Sequence, residues 1–427
     1  MANPLGIFFS RLAPEDKNFI KRIGIILIIV LIASGAVLFF FSHFGKNAME
    51  KTASSATAAE QDTLAFELPP SPEIPETLEE HVFQTVSQPS SDFDEQAHLQ
   101  LMRQNASKYN YKMAYRHGAR IESYLLANPE FCAEWGRILL EAGNPAEAVL
   151  VLQKITFGDS VKSEVAANMA FALLRSGKAD EALEFLDDLA KNSNDLNLTT
   201  AKATVIAEHP DTTKRSAADS VFKIALKSKP PLPEANYQYG RFLMQRGDYQ
   251  NSKIYLERAL KANPHESRYI ARLGMAEYYL KRDLEAETLY KRALKINPYD
   301  YNTWFNLGEL YLSEANESGY IPEIRKKTQD ALGAYLKAIE NDSLHAKAHY
   351  RIGIILNVNG EHKEAIGHLT TALEKTPGDI SVMRQLGSAY MQLGDTAKYI
   401  NYLGEILRID PFDRIASSEF RRLGGNK

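Results

Sequence analysis

A repeat of 34 residues runs through the chain, and a fixed period of that length admits few folds. The windows 233–266, 267–300 and 346–379 align without gaps. Their eighth residues are Gly240, Gly274 and Gly353, and their twentieth are Ser252, Ala286 and Ala365. Their twenty-seventh are Ala259, Ala293 and Ala372, and their thirty-second are Pro264, Pro298 and Pro377. Small side chains at these offsets let two helices of a hairpin approach closely. Proline lacks an N–H, so it ends the second helix and turns the chain into the next unit. Larger residues such as Leu273, Tyr290, Leu307 and Tyr335 fill the other inward positions. One such hairpin cannot bury its own apolar face, whereas a stack of them can. The fold class predicted is therefore all-α.

The segment Trp304-x-x-Leu307-Gly308-x-x-Tyr311, with the small residues and proline above, resembles the opening of a tetratricopeptide repeat. The resemblance implies an α-solenoid, a right-handed superhelix of helix hairpins, and protein binding as its role. Other units begin near Pro129 (Trp135, Gly136, Gly143, Ala148), Ser163 (Gly177, Ala182) and Ile380 (Gly387, Tyr390, Pro411). A degenerate unit covers about 199–232, with Ala218, Phe222, Ala225 and Pro230. About eight units thus span 129–413. Residues 94–128 read as a divergent helical pair or cap, and 414–427 as a closing helix and tail. One unit, 301–345, is irregular. The alanine due at position 320 is matched by Ala331, an insertion of eleven residues. Eleven residues make almost three turns at about 3.67 per turn, so both helices can lengthen without rotating their buried faces. Gly319 and Pro322 place a loop at the tip of this hairpin, which is open to a partner.

The N-terminal part is of another kind. Residues 23–42, IGIILIIVLIASGAVLFFFS, carry no charge and are long enough to cross a bilayer core of about 30 Å. A cleaved signal peptide has an apolar run of about 7–15 residues ending in a small-x-small site, and neither is present. Arg11, Lys17, Lys21 and Arg22 precede the span, against Lys46 and Lys51 after it, which favours a cytosolic N-terminus. The expectation is a cytosolic segment 1–22, a transmembrane helix 23–42 and repeats outside the cytosol, as in a bacterial inner-membrane protein. Residues 43–93 form a linker rich in proline and acids; 45–95 carry a net charge of −9. Such a segment buries too little apolar surface to order itself.

The whole chain has a net charge of −4, which argues against a nucleic-acid binder, and its single Cys132 excludes a disulfide framework. In the repeat resembled, positions two, five, six, nine and twelve of the first helix line the concave face. That gives Tyr237, Arg241, Met244, Arg268, Arg272, Met275, Tyr278, Asn302, Phe305, Asn306, Glu309, Lys347, Tyr350, Arg351, Asn357 and Arg384. Six cations against one acid, among aromatic rings, suit an extended acidic peptide. Linker residues 66–83 are expected to visit such a groove and compete with the partner. Some members of the family grip a terminal carboxylate with five residues. Asn306, Lys347 and Arg351 match three of these, while Ala271 and Met275 depart from the other two.

Catalysis finds little footing. His345 and His349 share a helical spacing that suits a metal, with His362 and His368 in the next helix, but no third ligand stands out. No phosphate-cradling loop or nucleophile turn is present. The chain reads as a non-enzymatic, cofactor-free scaffold that assembles an envelope complex such as a pilus, secretion or polysaccharide-export machine. The alternatives are a cytosol-facing receptor for peptides or chaperone tails at an organelle membrane and, third, a metal-dependent enzyme.

Overall fold

The computed structural model describes residues 92–155, 163–191 and 194–424. The segment 1–22, the apolar run 23–42 and the linker up to residue 91 lie outside the described residues. The described residues are helical without a strand, and none of their helices is long and apolar enough to cross a membrane. They form two compact units, one ending at Ala348 and the other beginning at His349.

In the first unit the helices are α1 (Asp92–Ser107), α2 (Tyr111–Arg120), α3 (Glu122–Ala127), α4 (Pro129–Glu141), α5 (Pro145–Leu152), α6 (Ser163–Arg175) and α7 (Ala179–Ala190). They continue as α8 (Leu196–Glu208), α9 (Thr212–Arg215), α10 (Ala218–Ala225), α11 (Pro233–Gln245), α12 (Tyr249–Ala262), α13 (Ser267–Tyr279), α14 (Asp283–Ile296), α15 (Tyr301–Glu317) and α16 (Ile321–Asn341). Helix α17 (Ala346–Asn359) leads into the second unit, with α18 (His362–Lys375), α19 (Ile380–Gln392), α20 (Thr396–Ile409) and α21 (Arg414–Arg422). Successive helices pair as hairpins, in the manner of tetratricopeptide repeats.

Three local devices recur at fixed repeat positions. The first is the turn inside each hairpin. Gly143, Gly177, Gly247, Gly360 and Gly394 all stand at position fifteen, with φ between +77° and +90°. This left-handed residue lets the next N–H reach back to close the helix end, as in Asp248 N–H to the Leu243 carbonyl at 3.0 Å. At the same position of the 267–300 repeat stands Lys281, a non-glycine forced to φ +60°. The second device is the close approach at position eight. A Cβ on Gly353 would lie 2.5 Å from Leu369 Cγ, and one on Gly308 only 2.6 Å from Tyr335 Cε1. The third is an aspartate at position thirty-four that caps the following repeat. Asp300 accepts from the N–H groups of Asn302 and Thr303, Asp379 from Ser381 and Val382, and Asp413 from Ala416.

Helices α1 and α2 keep the same register. His98 and His117, nineteen residues apart, place their Nδ1 atoms 3.0 Å from each other with rings tilted at 37°. In the second unit His349 and His368, also nineteen apart, do the same at 2.9 Å and 36°. The latter two stand at positions four and twenty-three of their repeat, and counting from Glu95 puts His98 and His117 at the same positions. Ala114, fully buried, then falls at position twenty.

The inserted residues of the 301–345 unit are shared between its helices. α15 has 17 residues and α16 has 21, four and seven more than the 13 of α13 and the 14 of α14. The tip is confined to Ser318, Gly319 and Tyr320. Pro322, which the sequence places in the loop, instead lies in the first turn of α16, where its missing N–H has no helical partner to lose.

Candidate partner-binding face

The first helices α11, α13 and α15 carry most of the residues expected to line a basic groove, and on α11 and α13 several of these side chains are already paired with neighbours. Arg241 donates to Glu208 Oε1 at 2.8 Å and to Gln238 Oε1 at 2.7 Å. Arg268 is paired with Glu234 at 3.3 Å and Glu266 at 3.2 Å, and lies over the rings of Tyr237 and Tyr269. Burial opposes the Arg268 charge, but Glu234, Tyr237 and Glu266 outweigh it, and its pKa moves up. Tyr269 donates to Glu234 Oε2 at 2.9 Å, and burial with that carboxylate raises its pKa. Tyr237 and Met244, expected as groove contacts, are 6% and 7% exposed and pack in the core.

The expectation of six cations facing one acid is therefore corrected. Glu234 stands at position two of its own window and Glu266 at the window's end, while Glu208 stands 33 residues before Arg241. Residues one repeat apart in sequence are neighbours across adjacent first helices, as Arg268 and Glu234 are at a separation of 34. That spacing was the sequence signal for the missed carboxylates. Arg272 is different: its guanidinium touches Met275 Sδ at 3.3 Å and meets no carboxylate among the described residues. Asn302 and Lys347 are exposed and Asn306 is half-buried, while Phe305 packs on the rings of Tyr335 and His345.

The second unit holds the rest of the set. Arg384 donates to Asp413 Oδ2 at 2.7 Å, while its Nη1 is buried without a partner among the described residues. Tyr350 is half-buried, and burial raises its pKa. Arg351 is half-buried, and Asn357 donates to the Gln385 carbonyl at 3.1 Å.

The histidines weighed as metal ligands have other work. His345 Nδ1 accepts from the Ala348 N–H at 3.1 Å, and His362 faces Asn357 Oδ1 at 3.3 Å. His368 is pushed down to about 4 by burial and by its neighbour His349. Among the described residues no group of three or more His, Cys, Asp or Glu is placed to hold a metal. Cys132 is buried, its thiol pushed up by burial and turned to the Leu125 carbonyl.

Family models described as tetratricopeptide repeat match residues 233–266, 289–332, 325–380 and 382–413. Those residues carry tetratricopeptide repeats. Among curated proteins, tetratricopeptide repeat protein 37 of Xenopus laevis is 23% identical over 56% of this chain and 15% of its own length. The BBSome complex member BBS4 of Bos taurus is 26% identical over 46% of this chain and 36% of its own. The matched region thus spans about a third or less of these relatives. Among solved structures, a thermophilic tetratricopeptide-repeat protein of Thermus thermophilus is 19% identical. It aligns over 45% of this chain and 98% of its own with a TM-score of 0.35.

Proposed function

We propose that the chain is a membrane-anchored, non-enzymatic scaffold whose repeats hold a protein partner. The observation that carries this reading is the face built by α11, α13 and α15. There, side chains from successive repeats interlock at the repeat spacing and leave Arg272, Asn302 and Asn306 for contact with a partner. Rigid aromatic rings with arginines laid over them make a pre-ordered surface, which lowers the entropic cost of binding. The partner contact is an extended peptide with acidic side chains, met at a few points rather than by a uniformly basic trough. Anchoring rests on the apolar run 23–42, and the charges that flank it support repeats outside the cytosol, where such a scaffold would serve assembly of an envelope complex.

The test is a photo-crosslinking residue at Asn302 in the full chain, compared with one at exposed Leu284 on a second helix. Capture of a protein at Asn302 but not at Leu284, reduced by excess peptide 45–95, is the expected result. Equal capture at both positions sinks the reading. A tag at Lys427 reports topology: protection from external protease would move the repeats to the cytosol and favour a receptor at an organelle surface.

A further inference from the structure

Two neighbouring repeats place a tyrosine at the same point of the hairpin and treat it differently. Tyr290 in α14 and Tyr335 in α16 both stand at position twenty-four once the insertion is discounted. Each ring lies against the position-eight glycine of its first helix: a Cβ would come within 3.0 Å of Tyr290 at Gly274 and 2.6 Å of Tyr335 at Gly308. In the 301–345 repeat position nine is Glu309, and the Tyr335 hydroxyl donates to its Oε1 at 2.5 Å. In the 267–300 repeat position nine is Met275. The Tyr290 side chain is fully buried and its hydroxyl has no partner among the described residues. A buried hydroxyl without a partner is costly, and native proteins rarely leave one without a reason.

Position six completes the contrast. Beside Glu309 it is Asn306, an uncharged side chain. Beside Met275 it is Arg272, a cation with no carboxylate among the described residues, and Arg272, Tyr278 and Tyr279 are the groups whose charges act on Tyr290. One repeat carries its own acid for the tyrosine; the other carries a cation and an unused donor where an acid is lacking.

We propose that Arg272 and the Tyr290 hydroxyl form an anchor for an aspartate or glutamate side chain of the partner, which takes the place that Glu309 fills internally one repeat later. This deepens the acidic-peptide reading above and rests on it. Arg272 and Met275 are long, unbranched and half-buried, so the incoming carboxylate displaces rotamers rather than backbone. The hydroxyl donates to one carboxylate oxygen and the guanidinium to the other or to both.

The experiment measures binding of a fluorescein-labelled deca-glutamate peptide to the full chain at low salt, with deca-glutamine as control. Tyr290→Phe leaves every charge in place and lowers affinity about tenfold, the worth of one hydrogen bond to a charged group. Without peptide, Tyr290→Phe raises the thermal midpoint, since an unpaired hydroxyl is removed, whereas Tyr335→Phe lowers it and leaves binding unchanged. Met275→Glu supplies the acid from within, so it abolishes binding and raises the midpoint, and adding Tyr290→Phe cancels that rise. Unchanged affinity of Tyr290→Phe, or a lowered midpoint in Met275→Glu, overturns the anchor while leaving the acidic-peptide reading intact. Failure of deca-glutamate to bind the unaltered chain better than deca-glutamine overturns both.

Discussion

The hairpins of 233–296 and the stretch 196–225 pack similar seams but turn the chain between their helices by different physics. In the former, glycine at position eight brings two helices of 13 and 14 residues together, and a single large side chain fills the seam. Leu256 and Tyr290 are both fully buried there. In the latter, Ala203, Ala207, Ala218 and Phe222 still close an apolar seam between α8 and α10, but the eight-residue α10 is preceded by the four-residue α9 and a polar cluster holds the turn. His209 is 2% exposed. Its Nδ1 accepts from the Asp211 N–H at 3.0 Å, its Nε2 faces Asp180 at 3.3 Å, and its carbonyl accepts from Arg215 Nε. Lys214 also pairs with Asp180. A repeat whose turn lacks the glycine can thus be held there by hydrogen bonds, at the cost of needing every partner in place.

Four probes, the first with a control substitution, bear on that contrast. The largest effect is expected from Gly308→Leu. The added side chain collides with the fully buried Tyr335 ring, and we expect a loss of about 3 kcal/mol in chemical unfolding. Gly319→Leu, at the open hairpin tip, is expected to change almost nothing, so similar losses at the two sites would refute the tight-seam account. His209→Ala should cost about 2 kcal/mol by leaving the Asp211 N–H and the cavity unfilled, with protease cleavage appearing first between 209 and 217. Cleavage spread evenly along the chain would show that the polar cluster does not hold this hairpin.

A polar contact inside a regular hairpin gives the third probe. Burial, then His349, lowers His368 to about 4, below the ordinary histidine value of about 6.5. Between those values the unfolded chain binds the proton and the folded chain does not, so stability falls as pH drops from about 6.5 to about 4. The ring is partly exposed, so the loss is expected to be about 2 kcal/mol rather than the full shift. His368→Asn should flatten that limb of the pH profile; an unaltered profile would assign it to other groups. The smallest effect is a gain. Lys281→Gly relieves a left-handed residue at the turn where five other repeats have glycine, for about 1 kcal/mol, and gives up only the exposed contact with Glu317. A drop in the unfolding midpoint would show that this turn carries no strain.

Much of this architecture was legible because its determinants are local. Proline at thirty-two, glycine at eight and fifteen, and aspartate at thirty-four act within a hairpin or its next turn, so each leaves a mark at a fixed offset. The irregular stretch was harder to read. His209, Asp180 and Lys214 belong to different segments of the chain, and nothing in their spacing marks them as a cluster. Reading the groove went astray for a similar reason. Arg241, Arg268 and Arg384 look unpaired until their carboxylates, Glu208, Glu234 and Asp413, are weighed against them.

The period, the helical hairpins, their turns and caps, and the place of the eleven extra residues are all written in the order of the amino acids. They follow from steric size, backbone freedom and missing N–H groups, properties a residue carries wherever it stands. Which cations on the first helices are neutralised, and which of two equivalent tyrosines has an acceptor, was settled by packing alone. Side-chain pairing depends on distances of about 3 Å between atoms of different helices. Those distances exist only once the helices have packed.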